Sequence, residues 1–146
     1  LRLVGSEMCI RDRVKSARRI AEFLRDAPEV KSVSYIGFTD NPWHANAARY
    51  FRFDGDGPVI SAELQGDTET TARFVEALQL AAHMTMIGDS ITVVTHPAST
   101  THKQLSASDL LKAGVTPTLL RISPGLEDPE DIIDDFKQAF HRAGLC

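Results

Sequence analysis

The residue that stands out for chemistry is an arginine inside an apolar run. Arg121 follows Leu119 and Leu120 and precedes Ile122. Arginine is seldom buried without a partner, and its planar fork matches a carboxylate through two parallel hydrogen bonds. Two readings stay open on these residues alone. Arg121 can anchor a substrate carboxylate, or it can lie on the strand's exposed face or pair with a structural Asp or Glu. Other combinations offer less. His96 and His102 flank Pro-Ala-Ser-Thr-Thr, which is not the spacing of a zinc helix, and no cysteine lies nearby. A triad of Ser99, His102 and Asp89 can be written down, but no Gly-x-Ser-x-Gly turn supports it. Gly125-Leu-Glu-Asp128 is not a phosphate loop. Cys9 and Cys146 stand near opposite ends of the chain, and both read as free thiols in a reducing cytosol.

Regular elements must position these groups. Val14, Ala17, Ile20, Ala21 and Leu24 recur at spacings of three and four, which predicts an amphipathic helix ended by Pro28. Val33–Ile36 reads as a strand. Asn41-Pro42 reads as the entry to a helix running to about Tyr50. After the turn Gly55-Asp-Gly-Pro58, a strand is expected over Val59–Leu64. A helix capped by Asp67 or Thr68 follows, carrying Phe74, Val75 and Leu78. Met84–Ile87 and Thr92–Val94 read as strands around Gly88-Asp89. Ser106 and Asp109 open a short helix that Gly114 stops. Leu119–Ile122 is the last strand. Asp128 then caps a final helix with Pro129 at its first position and Ile132, Ile133, Phe136, Ala139 and Phe140 on one face. The alternation of short strands and helices predicts a sheet layered against helices, and leaves parallel and antiparallel pairing open.

Composition bounds the class. The chain has 146 residues, 42% hydrophobic and 25% charged, as an ordinary globular domain has. The net charge is −4 and no basic stripe appears, so a nucleic-acid partner is not expected. No apolar run approaches the length of a membrane span. Residues 1–13 lack a clean helical or strand period. From Val4 to Arg13 they resemble a translated sequencing-adapter string, so they are expected to be a non-native leader, with the native domain over 14–146.

Two strings carry a family resemblance. His96-Pro-Ala-Ser-Thr-Thr-His102 followed by Lys103-Gln-Leu105 resembles the "HPAS-x-TH-x-x-L" segment of the Cys/Met-metabolism enzymes that depend on pyridoxal phosphate (PLP). Leu120-Arg-Ile-Ser-Pro-Gly-Leu-Glu-Asp128 resembles their "RLSVGLED" segment. Within that family, Thr100-Thr101, Ile87-Gly88-Asp89 and Ala113–Pro117 look most like the O-acetylhomoserine sulfhydrylases. Cystathionine γ-synthases, cystathionine γ-lyases and methionine γ-lyases are close siblings. A stand-alone amino-acid-sensing module is the rival from another class.

The resemblance implies an α+β fold. A small, mostly antiparallel sheet is packed against helices, as in the C-terminal domain of the type I PLP-dependent transferases. It implies a γ-replacement reaction that makes homocysteine or methionine from O-acetylhomoserine and sulfide or a thiol. Arg121 falls on the family's arginine that grips the substrate α-carboxylate, and Thr101 on a threonine that orders the same wall. Met86 and Ile87 fall where a Ser or Asn and its neighbour line the carboxylate pocket; methionine is a departure that leaves main-chain groups for that task. The lysine that holds PLP sits upstream in the family, and Lys15, Lys31, Lys103, Lys112 and Lys137 all lack its Ser-x-Thr-Lys setting. The resemblance therefore implies a missing larger domain that binds the cofactor, a cytoplasmic homo-oligomer, a tetramer, in the full-length enzyme, and no catalytic group in this chain. Helix 14–27 is the expected edge of an apolar face open to the missing domain.

Overall fold

The computed structural model describes residues 4–52, 56–100 and 107–146. In chain order the elements are α1 (Val4–Asp26), β1 (Val30–Ser34), α2 (His44–Tyr50), β2 (Ile60–Leu64), α3 (Thr68–Ala77), β3 (Ala82–His83), β4 (Val93–Thr95), α4 (Ala107–Lys112), β5 (Leu119–Ser123) and α5 (Pro129–Ala143). The strands form one sheet in the order β1-β2-β5-β4-β3. Only the short pairing of β3 with β4 is parallel; β1–β2, β2–β5 and β4–β5 are antiparallel. The α+β layering expected from the sequence is what the chain adopts.

Alternation along the strands separates two faces. Ile60, Ala62 and Leu64 of β2, Val94 of β4, and Leu120 and Ile122 of β5 are buried in the core. Against them pack Ala17, Ile20, Ala21 and Leu24 of α1, Phe74 and Val75 of α3, and Ile132, Ile133, Phe136, Ala139 and Phe140 of α5. Phe74 stacks on Phe140 at 4.9 Å and meets Phe136 edge-on at 5.8 Å. The ends of α5 follow its sequence signals. The Asp128 side chain accepts from the Glu130 N–H, Pro129 takes the first position, and Gly144 leaves the helix in the left-handed region at φ 76°. Asp135, although charged, is buried on α5. Its carboxylate accepts the backbone N–H groups of Gln79, Leu80 and Ala81, which follow α3.

Four expectations need correction. The helix expected from Val14 begins at Val4, so α1 runs through most of the adapter-like stretch. Propagating a helix from a packed segment costs far less than nucleating one, and Met8 stays 60% exposed there. The apolar face of α1 is not open: Val14, Ala17, Ile20, Ala21 and Leu24 are all buried. Asn41-Pro42 forms a turn ahead of α2, in which Asn41 Oδ1 accepts from the Trp43 N–H at 3.0 Å. The strand expected at Met84–Ile87 is instead β3 at Ala82–His83, for reasons that lie with Arg121.

Candidate functional site

Arg121 lies on the sheet face turned away from α1, α3 and α5, because its neighbours Leu120 and Ile122 point into the core. The ladders set it opposite Thr95 on β4 and Ser61 on β2. Residues paired in this way share a face, so the arginine rises between two small hydroxyl side chains. Its Nη2 donates to the Thr85 carbonyl at 2.8 Å and to Thr95 Oγ1 at 3.3 Å. Its Nε is buried and has no partner among the described residues. The contacts recorded for this cation are thus with neutral oxygens, and part of its fork stays uncommitted. A carboxylate oxygen accepting from Nε would supply the negative charge that these neutral acceptors lack.

The same bonds explain the lost strand. Met84 still donates its N–H to the Val94 carbonyl, continuing the β3–β4 register. Its own carbonyl, however, accepts from the Thr95 hydroxyl, and the next carbonyl accepts from Arg121. With both taken by side chains, the segment leaves the sheet. Met86 and Ile87 are then 52% and 54% exposed, beside the arginine and not under it. The Gly88 N–H donates to Ser123 Oγ at 3.1 Å, fixing the turn to β5. A hollow of about 430 Å³ opens here, lined by Ile87, Gly88, Ser123, Pro58, Ile10 and Arg13. A larger one of about 610 Å³ lies between α1 and α5, against Phe23 and Phe140, on the helix side of the sheet.

The string after Arg121 staples this wall. Glu127 accepts the Thr92 N–H at 2.6 Å and the Thr92 hydroxyl at 2.9 Å. Thr92 Oγ1 accepts the Gly125 N–H at 2.9 Å, and the Leu126 N–H donates to the Ser90 carbonyl. Gly125 is required by close approach: a Cβ there would lie 2.4 Å from the Ile91 carbonyl carbon and 2.5 Å from the Ser90 oxygen. Sequence reading assigned no task to Gly125, Glu127 or Thr95. Their roles depend on strand pairing, which a single sequence does not display.

The other candidates resolve simply. His96 is fully buried, its Nε2 2.8 Å from the Pro117 carbonyl. Ser99 Oγ donates to the His96 carbonyl and not to an imidazole. Asp89 Oδ1 accepts from the Ser90 N–H and hydroxyl. Among the described residues no His, Cys, Asp and Glu side chains cluster to hold a metal. Thr101, His102 and Lys103 lie outside the described residues. Of the remaining lysines, Lys31 pairs with Glu63, Lys112 with Asp109 and Lys137 with Asp134, and Lys15 is exposed. None of these four bonds to Arg121 or to the groups that hold it. No helix among the described residues is long and apolar enough to cross a membrane.

Known proteins resemble this chain over most of its length. O-acetyl-L-homoserine sulfhydrylase 1 of Thermus thermophilus is 39% identical over 126 residues, which is 86% of this chain and 30% of that protein. The homocysteine synthase of Schizosaccharomyces pombe is 38% identical over 130 residues, 89% of this chain and 30% of its own length. The crystal structure of cystathionine γ-synthase from Xanthomonas oryzae pv. oryzae in complex with cystathionine superposes with a TM-score of 0.84 at 33% identity, over 94% of this chain and 35% of that one. The chain thus spans about a third of the length of the relatives it matches. Residues 7–141 match the family model for Cys/Met metabolism PLP-dependent enzymes, and with Arg121 held as described, the chain belongs to that family.

Proposed function

We propose that this chain is the C-terminal part of an O-acetylhomoserine sulfhydrylase, and that Arg121 grips the α-carboxylate of the amino-acid substrate. The parent enzyme exchanges the γ-acetoxy group of O-acetylhomoserine for sulfide or a thiol. Held by a larger upstream domain, PLP supplies the electron-withdrawing chemistry; no step through it belongs to the residues described here. The relatives' names lean towards sulfhydrylation, with O-acetyl-L-homoserine sulfhydrylases at 39% and 36% identity against 33% for the cystathionine γ-synthase. The observation that carries the reading is the guanidinium of Arg121, fixed at one nitrogen and with a buried Nε that has no partner among the described residues. In this role Arg121 binds and orients the substrate. The main chain at Thr85–Gly88 shapes the pocket edge, with Met86 and Ile87 as an apolar lip that keeps water from the ion pair. Thr101 completes the wall on the strength of its motif. The parent is cytoplasmic and assembles as a tetramer.

The test is made in the full-length enzyme. Removing one partner of a desolvated charge pair costs about 2–5 kcal/mol. Arg121→Ala therefore lowers kcat/KM by about 30-fold to several thousand-fold. Arg121→Lys falls in between, since an ammonium loses the fork. Cofactor absorbance and Tm stay at parent values in both. Normal kcat/KM in Arg121→Ala overturns the assignment.

A further inference from the structure

We infer that Thr95 is the positioning residue that aims Arg121. The inference rests on the reading of Arg121 as the carboxylate anchor and adds the group that sets its direction.

Thr95 is buried at the end of β4. Its register partner is Arg121, so the hydroxyl and the guanidinium emerge side by side on one face. The hydroxyl is used in both directions. It donates its proton to the Met84 carbonyl and accepts from Arg121 Nη2 at 3.3 Å. A hydroxyl has one proton, so donating it to Met84 leaves lone pairs for the arginine. The β-branch restricts χ1, which holds that oxygen in one place. Nη2 is thereby caught between Thr95 Oγ1 and the Thr85 carbonyl. Two acceptors on one terminal nitrogen fix the plane of the whole fork, because guanidinium is rigid. The buried Nε is left for the incoming ligand. The same hydroxyl also pins the main chain that carries Met86 and Ile87. One oxygen therefore couples the anchor to the pocket edge.

Thr95→Val keeps shape and β-branching and deletes the hydroxyl. Thr95→Ser keeps the hydroxyl and deletes a methyl group. In the full-length enzyme, Thr95→Val is expected to raise KM for O-acetyl-L-homoserine about tenfold, the scale of one hydrogen bond to a charged group. KM for sulfide stays unchanged, and Thr95→Ser restores most of the loss. In the double variant with Arg121→Ala, Thr95→Val adds nothing further, since its effect runs through the arginine. A second readout needs no turnover. In the 146-residue chain, the 15N signal of the Arg121 Nε–H, identified by its loss in Arg121→Lys, broadens by faster water exchange in Thr95→Val and recovers in Thr95→Ser. Three results overturn the inference: an unchanged KM for O-acetyl-L-homoserine in Thr95→Val, equal rises in both KM values, or full additivity with Arg121→Ala. Any of these beside a crippled Arg121→Ala sinks the role of Thr95 alone. A normal Arg121→Ala sinks the anchor reading with it.

Discussion

The two faces of the sheet obey different rules. On the helix side, Phe74, Phe136 and Phe140 interlock, and the buried carboxylate of Asp135 is met by three backbone N–H donors and by Gln138 Nε2. On the other side a cation sits among neutral oxygens, its buried Nε unpaired among the described residues, and apolar side chains at Met84, Met86 and Ile87 face outward. Unpaired buried polar groups and exposed apolar patches are both disfavoured in an isolated domain. The aromatic core lies on the helix side and the unpaired cation with its exposed apolar rim on the other, although Gln138 Oε1 of α5 and the Tyr35 hydroxyl are also buried without a partner among the described residues; on the proposed reading of Arg121, packing and recognition are divided between the two faces of one sheet.

The division can be broken by substitutions that act on the wrong quantity. Phe136→Ala empties a fully buried aromatic site and is expected to cost about 3–5 kcal/mol. Chemical denaturation of the 146-residue chain reads this, and kcat/KM per folded full-length enzyme stays at the parent value. Asp135→Ala strands three backbone donors. It should cost about 2–3 kcal/mol, again with the activity of the folded fraction unchanged. A large kcat/KM defect in either would show that the helix face reaches into recognition. Arg121→Ala is the mirror case, with a catalytic loss and an unchanged Tm.

A smaller effect sharpens the picture at the sheet edge. Burial, then the neighbouring His96, lowers the pKa of His83 from its ordinary value of 6.5. The unfolded chain then takes up a proton more readily than the folded one. Stability is retained above about pH 6.5 and declines as pH falls below it. His83→Gln should flatten the Tm profile between pH 7.5 and 5.5; an unaltered slope would place the acid sensitivity elsewhere. The smallest effect is expected from deleting residues 1–13. The first turns of α1 expose Met8 and Ile10, so Tm should stay within error. A fall of several degrees would mean that this stretch packs.

Sequence alone displayed the helix face well, because periodicity and caps are local. The apolar stripes of α1 and α5, Asp67 and Asp128 as caps, and Gly144 as a stop are all where the pattern puts them. Arg121 was visible as a charge within an apolar strand, but its surroundings were not. Thr95, the Thr85 carbonyl and Glu127 meet it or its wall only through pairing across 26 to 36 residues. The apolar run Met84–Ile87 misled for the same reason: two of its carbonyls bond to distant side chains, which no local propensity records.

The strand order has a consequence for how the chain is made. β5, the last in sequence of the described strands, lies at the centre of the sheet and joins β2 to β4. Until residues 119–123 emerge from the ribosome, the β1–β2 pair and the β3–β4 pair have no common partner. Sheet closure therefore waits on contacts between residues far apart in sequence, which are slow to form. Because Arg121 is part of the closing strand, the nascent chain completes its sheet and sets Arg121 between Thr95 and Ser61 in the same event.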